Sequence, residues 1–312
     1  MSCSSLPGQC AAVAGPDDEA DCCSAHDELG MFDEICLEYN IPWRGIAVRR
    51  KSFVLSDGIT VSGLLWGEAA PEFVLLHGGK QTAHTWDAVA LALNRPLLGH
   101  SDATASGIHD PSTLAASIAE VMDQAAASAE VVCGMSLGGL AGIALSAERP
   151  DLVRRLVLVD VTPGITTKRP PHSSEVEGST SSFPSFDHLL VRMQKMYPSR
   201  SRASLRRTIL FNAVQRDDGS WIWRHDRHPR RHPRRSAFDR LWEQLDSVRA
   251  PTMLVRGMNS KMVDSSDESE LARRVPDLRV EHLPEAGHSV QADQPVALAA
   301  LLESFCAGAE LT

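Results

Sequence analysis

The chain has 312 residues, 43% of them hydrophobic and 23% charged, with a formal net charge of -9. That size and apolar content suit one large α/β domain or two small ones and exclude a chain disordered throughout, and no apolar run approaches the ~20 residues that span a bilayer. Residues 1–43 hold nine acids and no Lys or Arg, so of 40 acids 31 remain beyond them against 31 Lys plus Arg: the body is neutral and the imbalance is N-terminal.

Residues 1–26 are small, acidic and aperiodic, which predicts a disordered segment. They carry neither a basic, apolar signal pattern nor an Arg-rich transit pattern, so a cytoplasmic protein is expected. Of seven cysteines, Cys3, Cys10, Cys22, Cys23 and Cys36 lie in this arm and only Cys133 and Cys306 in the body. That distribution is not a disulfide scaffold, and the arm's spacings form no C-x-x-C pair, so no metal or cofactor is expected. Leu29, Phe32, Ile35, Cys36 and Tyr39 fall at helical spacing, which predicts a short amphipathic helix closed by Pro42. The arm is accordingly taken as residues 1–43 and the body as 44–312.

In the body, Thr60–Trp66, Phe73–Leu76, Glu130–Cys133, Arg155–Val159, Thr252–Arg256 and Leu278–Leu283 read as strands, and Leu137–Ala147 and Val296–Phe305 as helices. Buried apolar runs alternating with helices predict a mostly parallel central sheet with helices on both faces. Between Asp160 and Pro251 the alternation lapses. Lys168–Phe183 reads as loop, Asp187–Tyr197 and Ser201–Val214 as helices, and Trp221–Trp223 as a short aromatic spot. This is a helical lid insertion at about residues 165–246, without strands of its own.

Gly134-Met135-Ser136-Leu137-Gly138 is a G-x-S-x-G run between a strand and a helix, the context of a strained turn that projects a nucleophilic serine. Serine is a poor nucleophile without a base. His288 follows the last strand on a loop at the sheet's C-terminal end, where open α/β sheets build their sites. A carboxylate must then fix the imidazole. Asp160, at the end of Leu156–Val159, and Asp264, in the loop after Thr252–Arg256, both satisfy the chain order Ser, Asp, His. Backbone N–H groups of Leu137 and of Gly78 or Gly79, in the loop His77-Gly78-Gly79-Lys80, are the candidates for an oxyanion hole, with His77 bracing that loop.

These segments, in this order from Leu75-Leu76-His77-Gly78-Gly79 to Ala286-Gly287-His288, resemble the α/β-hydrolase family of serine hydrolases over residues 44–308. The resemblance implies the α/β-hydrolase fold and cofactor-free hydrolysis of a small ester, thioester, lactone or activated C–C substrate through an acyl-enzyme. A serine rather than an aspartate at the elbow argues against the epoxide hydrolase and haloalkane dehalogenase branches. The substrate pocket is expected to include His77, Met135, Trp221 and Trp223, with Phe183, Phe186 and Trp242 as further apolar lining. The chain departs from the family pattern in three ways, one of which is a run of low complexity in the lid. The usual acid position after strand seven is Ser260, which shifts weight to Asp160. Leu97-Leu98 runs straight into Gly99-His100-Ser101-Asp102, as if strand four were cut short. A hydrolase-fold binding protein lacking activity is therefore the alternative.

The run Arg224–Arg235, with six arginines, three histidines and one aspartate, lacks interleaved aromatic residues. It reads as a solvated lid loop on which the acidic arm could dock, and no nucleic-acid partner is expected. Oligomeric state is not encoded in any pattern found.

Overall fold

Short apolar runs supply the centre of the sheet. In the computed structural model, which describes residues 27–42, 44–101, 110–165, 182–227 and 235–308, strands β3 (Phe73–Leu76), β5 (Val131–Met135) and β6 (Leu156–Val159) are buried at every position. The expectations for residues 1–26, with Cys3, Cys10, Cys22 and Cys23, and for most of 168–183 and of the Arg224–Arg235 run lie outside the described residues. Successive strand side chains point to opposite faces. Val74, Leu76, Val132, Leu156 and Leu158 therefore join one apolar cluster, and Phe73, Leu75, Val131, Cys133, Val157 and Val159 the other.

Adding β1 (Val48–Val54), β2 (Thr60–Trp66), β4 (Leu97–Ser101), β9 (Thr252–Gly257) and β10 (Leu278–Leu283) gives the order β1-β2-β4-β3-β5-β6-β9-β10. The β1–β2 and β2–β4 pairs are antiparallel and the rest parallel. Strand four is complete, which corrects the expectation of a shortened one: β4 pairs with β3 from Leu97 to His100 and with β2 from Leu97 to Ser101. The apolar run stops at Leu98, but the ladder is made of backbone groups and continues without apolar side chains. β5 also outruns its expected end at Cys133, since Gly134 and Met135 pair with Leu158 and Val159.

One face of the sheet is covered by α3 (Pro111–Ala125), α4 (Leu137–Glu148) and α7 (Arg235–Leu245), the other by α1 (Phe32–Tyr39), α2 (Asp87–Leu93) and α10 (Pro295–Cys306). Two sequence boundaries shift as a result. Residues 235–245 were counted in the lid, yet Leu241 and Leu245 are buried in the body's core. Helix α1, counted in the arm, buries Phe32, Ile35 and Cys36 against the sheet, with the Phe32 and Trp66 rings 4.9 Å apart.

The cap between β6 and α7 contains α5 (Phe186–Met196), α6 (Arg202–Asn212) and, against expectation, a ribbon of β7 (Ala213–Gln215) and β8 (Trp221–Trp223). It has its own apolar cluster of Phe183, Leu189, Leu190, Met193, Leu205, Ile209, Ala213 and Trp221. Carboxylates of the N-terminal segment hold it down. Arg207 of α6, 6% exposed, bonds Glu34 at 2.6 Å and also Glu38. The acidic segment thus docks on α6. No helix among the described residues is long and apolar enough to cross a membrane.

Candidate active site

β5 delivers Ser136 through a turn that only a particular set of residues can make. Ser136 has φ 51° and ψ -118°, a strained region for a side-chain-bearing residue. Strand and helix meet here so closely that a Cβ on Gly134 would run into the backbone of Gly138 and Gly139, and one on Gly138 into the carbonyl oxygens of Leu76 and His77. Glycine is the one residue that leaves this space.

Sheet register brings the acid alongside. Met135 and Val159 are partners at the ends of β5 and β6, so the next residues, Ser136 and Asp160, leave neighbouring strands at the same level. Strand spacing sets them roughly 5 Å apart along the sheet edge. Asp160, also at positive φ (49°), is fully buried. Its Oδ1 accepts from Gly257 N–H at 3.2 Å, and its Oδ2 accepts from Ser260 Oγ at 2.5 Å and from His288 Nδ1 at 2.7 Å. A carboxylate oxygen accepts, so Nδ1 of His288 is the donor in this bond and the ring's lone pair lies on Nε2. The His288 side chain is 27% exposed. Ser136 Oγ forms no hydrogen bond to His288 in this structure; such contacts tighten when substrate binds.

Asp264 is elsewhere occupied. Its side chain caps α8 (Ser265–Arg274), accepting from Ser266 and Asp267 N–H, while Asp267 Oδ2 accepts from Asp264 N–H at 3.0 Å in a capping box. Of the two acids that the sequence left open, Asp160 meets the histidine and Asp264 does not.

The glycine loop after β3 lies against the elbow. A Cβ on Gly78 would come within 3.3 Å of Ser136 Cβ, and one on Gly79 within 3.7 Å of Leu137 Cδ2. Leu137 opens α4, so its N–H has no acceptor within the helix. Gly78 departs from the expectation, since its N–H already donates to Gln81 Oε1 at 3.0 Å. His77, buried, donates from Nδ1 to the Gly78 carbonyl at 2.8 Å.

Met135 is buried beneath this loop. Trp221 and Trp223 do not join it. Trp221 packs edge-on against Phe186 at 5.2 Å, and Trp223 against Phe183 at 6.2 Å, all within the cap. Trp242 lies in α7 under the Arg274 guanidinium. These aromatics cement the cap and body, and their contacts assign them no place beside Ser136. Burial in β5 pushes the Cys133 thiol far up, so it offers no competing nucleophile. Among the described residues no group of His, Cys, Asp or Glu could hold a metal.

Ser260 and Gln81 are the contributors that sequence reading missed as partners. Ser260 stood at the position from which an acid was expected, and hydroxyl-to-carboxylate bonding across 100 residues has no sequence pattern. Gln81 is three residues from Gly78, and a polar side chain just after a Gly-Gly turn was the available signal.

Over residues 73–301 the chain matches the Alpha/beta hydrolase family. The chain belongs to that family. Among α/β hydrolases it is 40% identical to the esterase Rv0045c of Mycobacterium tuberculosis over 287 residues, which cover 87% of this chain and 95% of that relative. A solved structure of that esterase matches with a TM-score of 0.80 at 35% identity, covering 90% of this chain and 99% of the other. More distant is the mouse (Mus musculus) sn-1-specific diacylglycerol lipase ABHD11, 26% identical over 78% of this chain and 84% of its own length.

Proposed function

We propose that this α/β hydrolase is an esterase that cleaves small carboxylic esters through an acyl-enzyme on Ser136. The observation that carries the reading is the register-matched exit of Ser136 and Asp160 from β5 and β6, with Asp160 holding His288 by Nδ1. The 40% identity to a mycobacterial protein named an esterase supports the substrate class.

In this mechanism His288 Nε2 takes the Ser136 hydroxyl proton as Oγ attacks the ester carbonyl carbon. The carbonyl π electrons move onto oxygen, where the N–H groups of Gly79 and Leu137 stabilise the charge. Collapse of the tetrahedral intermediate breaks the bond to the alkoxy oxygen, which leaves as the alcohol with the proton from His288. Water, deprotonated by the same Nε2, attacks the acyl-enzyme. The acid leaves and the proton returns to Ser136. Buried Asp160 stabilises the imidazolium in both halves. Thioesters and lactones react by the same steps.

Fluorophosphonate labelling tests the reading. Wild type labels and hydrolyses p-nitrophenyl esters, and Ser136→Ala does neither. Equal labelling of the two proteins, or none in either, refutes the acyl-enzyme, and an unlabelled but folded wild type is the signature of a binding protein on this fold. Esters of increasing chain length then measure the acyl pocket.

A further inference from the structure

We infer that Arg200 and Asp293 form a positioning pair through which the cap sets the orientation of the His288 loop. The inference rests on the reading of His288 as the base.

Asp293 ends the short helix α9 (Val290–Asp293), five residues after His288. Its two carboxylate oxygens serve different parts of the molecule. Oδ2 accepts from the Gly287 N–H at 2.8 Å, on the residue that precedes His288. Oδ1 accepts from Arg200 Nε at 2.7 Å, in the turn between the cap helices α5 and α6. Both side chains are close to fully buried, 8% exposed for Arg200 and 11% for Asp293. The Arg200 guanidinium also lies over the Tyr197 ring at 4.6 Å, which fixes its direction.

A single buried carboxylate therefore joins the cap to the peptide that carries the histidine. Charge-assisted bonds of this length are strong, and a buried partner left alone is costly, so the two ends move together. Helix α1 closes the ring. Tyr39 OH donates to the carbonyl of Ala292 at 3.2 Å, next to Asp293, and Ser201, next to Arg200, donates to Glu38 of the same helix. Asp160 fixes the His288 ring through Nδ1, whereas Asp293 fixes the backbone from which that ring projects. Neither Arg200 nor Asp293 touches the reacting atoms.

The test uses the full chain with Arg200→Ala, Arg200→Lys, Asp293→Asn and the double variant Arg200→Ala/Asp293→Asn, with Ser136→Ala alongside. Each is assayed for kcat and KM on a p-nitrophenyl ester, for the pH profile of kcat/KM and for thermal midpoint. A misplaced base costs turnover rather than binding. Both single alanine and asparagine variants are expected to lose about tenfold or more in kcat with KM little changed. The double variant should lose no more than the worse single one, because the pair acts as a unit. Arg200→Lys, which keeps the charge but loses the guanidinium fork, should fall between. The two substitutions remove charges of opposite sign. A purely electrostatic influence would move the acid limb of the profile in opposite directions and leave kcat on the plateau intact, and that outcome overturns the proposal. So do wild-type kcat in either folded single variant and additive losses in the double one. Full activity in Ser136→Ala overturns the serine reading and the pair's role together. An inactive Ser136→Ala beside an unaffected Arg200→Ala overturns the pair's role alone.

Discussion

His84 makes the stability of the chain depend on pH in a direction opposite to that of a buried histidine without partners. Its side chain is 3% exposed and stacks on Phe211 of the cap with ring centroids 3.8 Å apart. Nδ1 faces Asp87 Oδ2 at 2.8 Å and Nε2 faces Glu28 Oε1 at 2.7 Å. Arg50 lies on the Glu28 side, 3.5 Å from Nε2 and paired with Glu28, and Arg207 adds its charge near Asp87. Burial by itself would lower the His84 pKa, but Asp87 and Glu28 outweigh it and raise it from 6.5 to about 9. At 1.36 kcal/mol for each pKa unit this corresponds to roughly 3 kcal/mol. The folded pKa is the higher one, so the contribution is complete below the unfolded value of 6.5. It declines as pH rises and is gone above about 9, because only the folded state holds the proton in that window. Chemical denaturation of wild type and His84→Gln between about pH 6 and pH 10 measures it. The difference in unfolding free energy between the two proteins should shrink by about 3 kcal/mol across that range. A difference that stays flat, or grows with pH, refutes the reasoning.

Other expectations concern the site and the cap. Asp160→Asn presents an amide to His288 and should lower kcat by about 10³- to 10⁴-fold with the fold retained. Asp264→Ala should leave kcat unchanged and cost about 1 kcal/mol in denaturant titrations, through loss of the α8 cap. Gly138→Ala drives a methyl group into the Leu76 and His77 carbonyl oxygens and should cost about 1–3 kcal/mol together with most of the esterase activity. Arg207→Met removes the buried cation between Glu34 and Glu38, leaving Glu34 with Arg206 at 3.6 Å and Glu38 with the Ser201 hydroxyl. Because Glu34 is 41% exposed, the loss should be on the order of 2 kcal/mol, below that for a fully buried pair, and Glu38→Gln in the same chain should recover part of it.

What could be read from the sequence follows from how local each requirement is. β3 appears over the residues expected because a strand buried in a parallel sheet is an uninterrupted apolar run, and β10, on the sheet edge, does so because apolar Leu278 and Val280 alternate with Arg279 and Glu281. The elbow was legible for the same reason: a turn that excludes any Cβ at Gly134 and Gly138 must be written in glycine. β1 was missed, since its Val-Arg-Arg-Lys-Ser-Phe-Val sequence lies on the sheet edge with one buried position and no apolar alternation. Helix α3 has a local start signal, Asp110 before Pro111, whose side chain accepts from Ser112 and Thr113 N–H. The partnership of Asp160 with His288, of Ser260 with Asp160 and of Arg200 with Asp293 spans about a hundred residues each. Only the folded sheet and cap bring such pairs together, so the choice between Asp160 and Asp264 had to wait for the structure.

Strand β1 also puts charge along one border of the sheet. It forms one border of the sheet, and its outward run of Arg49, Arg50 and Lys51 is exposed. Arg50 is paired with Glu28, whereas another strand added antiparallel to the same border would bring Arg49 and Lys51 close to their own counterparts, at a repulsive cost that rises as salt is withdrawn. The opposite border, β10, interleaves Arg279, Glu281 and His282 among its apolar residues. Unpaired backbone on a β sheet invites polymerisation, and charge on the rim is a common safeguard. The residues that concealed β1 from pattern reading are thus the ones that put charge on the border of the sheet.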